Sequence, residues 1–173
     1  PDTNLLYAKA VDKHGNSEYS AIIASILWGI VKDVDIITIP LGGEVDYQIL
    51  YDAIKKAKKN NILILAAAGN DFYKKNQDIK FPARYKEVVS VGNLTRSQSY
   101  NKDIIKKTDV SLLNKIITST YLNNQFIKAS GTSISTALIS GIASALMEKY
   151  INESKKKRYN IVIKELKQII SQK

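Results

Sequence analysis

Helix-like and strand-like segments alternate along this 173-residue chain, and that alternation predicts an α/β fold built on a doubly wound, mainly parallel sheet. Two further observations point the same way. Residues 62–67 form an unbroken apolar run, as expected of a strand covered by helices on both faces. Pro40, Gly42, Gly43 and Gly69 close strand-like segments, where turns would carry the chain into the next helix. Ligands of such sheets bind beyond the carboxyl ends of the strands, so these turns are the first place to look for a site. The length fits one domain spanning residues 1–173.

The elements follow in order. Residues 5–11 read as a buried strand that leaves into the turn-rich stretch 12–16. Residues 17–31 carry apolar side chains at helical spacing behind Ser17, a favoured cap. Residues 34–39 read as a second strand, 45–59 as a helix with a basic outer face, and 62–67 as a third strand. Residues 72–80 are polar and read as a loop, with a fourth strand at 88–92. The segment 95–124 is irregular, with a short strand expected at 115–118. Residues 133–150 form a long helix rich in small side chains, expected to be buried, and a lysine-rich linker leads to a last helix at 160–171.

Composition removes several function classes. The chain has no cysteine, which excludes a disulfide scaffold, a cysteine metal cluster and a cysteine nucleophile. Its net charge of +10 comes mostly from lysines scattered along the chain, without the interleaved aromatics of a nucleic-acid groove, so no nucleic-acid partner is expected. The apolar runs are too short to span a bilayer. No Gly-x-Gly-x-x-Gly or Walker loop cradles a phosphate, and Gly131-Thr132-Ser133-Ile134-Ser135 is not the nucleophile elbow of an α/β-hydrolase.

Two polar residues sit where chemistry could occur. Ser133 stands at the start of the small-residue helix, where backbone N–H groups favour negative charge and would stabilise an oxyanion beside its hydroxyl. A serine there can equally be a helix cap. Asn70 follows the buried strand 62–67 in a turn with Gly69, and its amide could donate to an oxyanion. An asparagine there can equally serve a left-handed turn.

Together the motifs resemble the subtilisin-like serine proteases. Val34 to Gly43 is similar to their strand and binding edge, and Ala66-Ala67-Ala68-Gly69-Asn70-Asp71 to their oxyanion-hole segment. Phe81-Pro82-Ala83-Arg84-Tyr85 with residues 88–92 resembles their Tyr-Pro-Ala and Val-Gly stretch, and Gly131-Thr132-Ser133 their nucleophile motif. The resemblance covers about residues 1–150. It implies Ser133 as acylating nucleophile and Asn70 as oxyanion donor. It implies Leu41, Gly42 and Gly43 as the edge that pairs with an extended peptide or protein substrate. Ala67, Ala68 and Gly69 become one wall of the primary specificity pocket. Lys80 replaces a glycine at the floor of that pocket, where its ammonium would favour an acidic substrate side chain unless it points into water.

The departures carry equal weight. The family's Asp-Thr-Gly-like and His-Gly-Thr-His-like motifs are missing, and the single histidine, His14, matches no catalytic position. The sequence is therefore expected to be the serine-bearing half of a catalytic domain, incomplete at both ends. Its N-terminal part is expected upstream of Pro1, and this half alone should be inactive. The alternative is a pseudoprotease, a peptide-binding or regulatory module. No cofactor is identifiable. Calcium and export enter only because many members of the family bind the one and undergo the other.

Overall fold

The computed structural model describes residues 3–74, 77–95, 98, 106–113 and 116–171. Its centre is a four-stranded parallel sheet in the order β1 (Ile36–Ile39), β2 (Leu63–Ala67), β3 (Val89–Leu94), β4 (Val110–Leu113). Helices α1 (Tyr19–Val31) and α2 (Gln48–Lys59) cover one face. Helices α3 (Thr132–Lys149) and α4 (Lys155–Ser171) cover the other. An antiparallel hairpin, β5 (Ile117–Tyr121) and β6 (Gln125–Ala129), precedes α3. The α/β class, with a mainly parallel sheet and flanking helices, is as the sequence predicts.

Strand β2 explains the layering. Consecutive side chains of a strand point to opposite faces. Ile64 and Ala66 accordingly join the core under α1 and α2, beside Ile26, Leu50 and Ile54. Leu63 and Leu65 join the core under α3 and α4, with Ile139, Val162 and Leu166. All five β2 residues are buried, the signature of a strand wrapped on both faces.

Several boundaries differ from the sequence reading, for identifiable reasons. Residues 5–11 form no strand, and Leu5, Leu6 and Tyr7 are exposed. Apolar character alone does not make a strand: the ladder bonds come from a neighbour, and no described strand pairs with this segment. Ser17 does not cap α1. Its hydroxyl donates to the Ala10 carbonyl, and Glu18 holds the cap position. Helix α3 is buried along one face only, leaving Leu138 and Ile142 at the surface.

The lysine-rich linker is instead the first turn of α4. Lysine and arginine are good helix formers. Here two of them also anchor the helix: Lys155 reaches Asp33 and the Val34 carbonyl, and Arg158 reaches Asp35 at 2.6 Å. Of the expected strand at 115–118, residues 117 and 118 open β5, while residue 115 lies outside the described residues.

Candidate active site

The site is built where three element ends meet. Strands β1 and β2 finish in the turns 40–43 and 68–70, and α3 lies across β1, β2 and β3 with its first residues towards those turns. Gly131, just before α3, has φ 129°, a backbone shape that side chains rarely adopt. A Cβ there would stand 3.0 Å from Asn70 Oδ1. Glycine thus lets the start of α3 approach the Asn70 turn.

Asn70 is held through its oxygen. Its Oδ1 accepts from the Thr132 N–H at 2.9 Å and from the Thr132 hydroxyl at 3.1 Å. Thr132 is buried, so its end of this anchor is withdrawn from water. With Oδ1 committed, the Nδ2 amide is the part of Asn70 that can donate to a ligand. Asn70 is also not among the described residues with positive φ, so a left-handed turn is not its role.

Ser133 is the second residue of α3, and Gly131 is the cap, so the serine hydroxyl is not spent on capping. Ser133 is exposed, and its Oγ donates to the Pro40 carbonyl at 2.7 Å. Its own N–H lies in the first helical turn, where no helical carbonyl can accept it. Serine hydroxyl, Asn70 amide and helix N-terminus are therefore gathered at the carboxyl edge of the sheet from positions 63 apart in sequence.

The remaining candidates line the same edge. Leu41 is half-buried against the first core, and Gly42 is exposed. Gly43 exchanges both backbone bonds with Phe81, at 2.9 and 2.8 Å. Ala67 and Ala68 are buried beneath the second turn, and Gly69 bends it with φ 93°. Lys80 lies between the two turns, and its Nζ meets Glu44 Oε1 at 2.5 Å rather than pointing into water. The bond from Lys80, with its charge, holds the Glu44 carboxyl below its ordinary range.

His14 belongs to a separate exposed turn. There Asp12 accepts from the His14 and Asn16 N–H groups, and those bonds, Asn16 first, hold its carboxyl below the usual range. The described residues contain no group of three His, Cys, Asp or Glu side chains that could hold a metal ion. No helix among the described residues is long and apolar enough to cross a membrane.

The sequence reading missed three residues here. Thr132 positions Asn70, Glu44 pairs with Lys80, and Lys107 supports the Asn70 loop. The Lys107 ammonium donates to the carbonyls of Phe72, Lys74 and Gln77 at 3.0, 3.3 and 3.3 Å. Three donors thus meet three backbone acceptors, the task a bound cation would perform. Lys107→Met keeps the apolar stem and deletes the donors. We expect a loss of about 1–3 kcal/mol, or about 2–12 °C in Tm for a chain of this size. Thermal denaturation checks it, and an unchanged Tm would refute the supporting role.

Comparison with known proteins assigns the chain to a family. The subtilase family profile matches residues 1–172, and the chain belongs to that family. It is 35% identical over 159 residues to the major intracellular serine protease of Bacillus subtilis (strain 168), covering 89% of this chain and 50% of that protein. It is 29% identical over 153 residues to subtilisin DY of Bacillus licheniformis, covering 87% and 56%. Among solved structures it resembles the prenylagaramide maturation protease PagA, with a TM-score of 0.69 and 26% identity, covering 84% of this chain and 56% of that one. The chain thus spans about half the length of these relatives.

Proposed function

We propose that these residues carry the nucleophile and oxyanion hole of a serine endopeptidase, and that a base supplied by polypeptide upstream of Pro1 completes it. The observation that carries this reading is the exposed Ser133 hydroxyl beside an asparagine whose oxygen is already anchored. In the reaction, Ser133 Oγ attacks the scissile carbonyl carbon while the base accepts its proton. The oxyanion that forms accepts from the Asn70 Nδ2 and the Ser133 N–H. The carbon–nitrogen bond then breaks, the amine leaves with the proton, and water hydrolyses the acyl-serine.

Residues 40–43 would hold the substrate as an added strand. Among the described strands β1 pairs only with β2, so its outer edge is open. That edge, with the exposed Leu138 and Ile142 on α3, is also where the rest of the domain would pack. Residues 1–173 would then be one partial catalytic domain, with peptides or proteins as substrates.

Labelling with a fluorophosphonate probe tests the reading. Residues 1–173 alone should not react, because a serine without a base is a weak nucleophile. The protein extended upstream should be labelled at Ser133. Labelling of the short chain would contradict the need for an outside base, and no labelling of the extended protein would favour a peptide-binding pseudoprotease.

A further inference from the structure

The two turns of the candidate site are bridged by one residue. The Lys80 N–H donates to the Ala68 carbonyl at 3.0 Å, and the next residue, Phe81, pairs with Gly43. Lys80 is thereby fixed by its backbone between turns 41–43 and 68–70. Its side chain stays in that gap. A Cβ on Gly42 would lie 2.7 Å from Lys80 Cβ, and a Cβ on Gly69 would lie 2.7 Å from Lys80 Cγ. The alkyl stem therefore rests directly on both glycines, as lysine stems do on apolar surface. The head reaches Glu44 Oε1, and the Lys80 side chain is only 23% exposed.

Two consequences follow for a substrate side chain entering this gap. The space that a glycine at position 80 would leave open is filled by four methylenes. The charge that could attract an acidic substrate is already matched by Glu44, itself 79% exposed and outside the gap.

We infer that Lys80 and Glu44 form an ion-paired plug that restricts the primary pocket to small, uncharged side chains, with Glu44 suppressing the acidic preference Lys80 alone would confer. This rests on the protease reading above, and it assigns to Glu44 a part that the sequence did not suggest. The substrates it selects are peptides with Gly, Ala or Ser before the scissile bond.

The test uses the protein extended upstream and peptides with Ala, Phe or Glu at that position. The unaltered protein should favour Ala over both. Lys80→Gly should raise the Phe-to-Ala ratio of kcat/KM by about tenfold or more, as expected when several methylenes leave an apolar pocket. Glu44→Gln should leave that ratio alone and raise Glu over Ala by about two- to fivefold, the size of an exposed ion pair. Lys80→Gly with Glu44→Gln should lose the gain for Glu.

An unaltered protein that cleaves after Phe as readily as after Ala, or a Lys80→Gly variant with unchanged ratios, overturns the plug. Binding of the same peptides to Ser133→Ala variants, followed by fluorescence anisotropy, separates the two readings. Selective binding of the Ala peptide without turnover in the Ser133 protein would sink the catalytic reading and sustain the plug. Binding without selectivity, or no binding of any peptide, would overturn the plug whatever the turnover.

Discussion

Ser133→Ala is expected to abolish peptide hydrolysis by the protein extended upstream, lowering kcat by about 10⁶-fold with little change in KM. That magnitude is the loss measured in subtilisin itself, a member of the same family, when its serine is removed. The Ser133 hydroxyl is exposed and, among the described residues, donates to the Pro40 carbonyl, so its loss should cost little stability. An active-site effect should therefore appear without a shift in Tm. The measurement is steady-state kinetics on one peptide with parallel thermal denaturation. A variant that keeps its kcat would place the nucleophile elsewhere.

Asn70→Ala should lower kcat by about two to three orders of magnitude with KM nearly unchanged. This too is the loss recorded in subtilisin when the corresponding donor is deleted. Here the substitution has a second effect, because Asn70 Oδ1 also receives both hydrogen bonds from Thr132. Asn70→Asp separates the two. It keeps acceptors for Thr132 and deletes the Nδ2 donor. A loss of kcat in both variants, with stability retained in the aspartate one, assigns the effect to the donor. If Asn70→Asp keeps full kcat, the amide does not stabilise the oxyanion.

Much of this was readable from residues alone, and what escaped has a physical pattern. Segment 62–67 is legible because a strand buried on both faces needs a continuous apolar run, and segments 34–39 and 88–92 are legible through their β-branched residues between turn signals. Ser133 and Asn70 sat in motifs whose order and spacing match a family. Residues 5–11 looked like a strand by the same apolar criterion, but pairing depends on a neighbour that sequence periodicity does not encode.

Strand β4 was missed because Val110–Leu113 is only four residues long inside a polar stretch. The hairpin β5–β6 carries one clue in its sequence. Asn123 and Asn124 both adopt positive φ at its tip, and adjacent asparagines are a turn signal. The bond between Lys80 and Glu44 spans 36 positions, and that between Thr132 and Asn70 spans 62. No local pattern foretells contacts of that range, so the supporting residues emerged only from the fold.

The division of the core between two helix layers has a consequence for how the protein is made. Strands β1 to β3 and helices α1 and α2 are complete by residue 94, so the first face of the sheet can be covered early in synthesis. The second face cannot. Leu63, Leu65, Val89 and Val91 wait for Ile139, Ala143, Val162 and Leu166, which leave the ribosome many residues later. During that interval the nascent chain presents an apolar sheet surface to the cytosol, the kind of surface that chaperones bind and that drives aggregation.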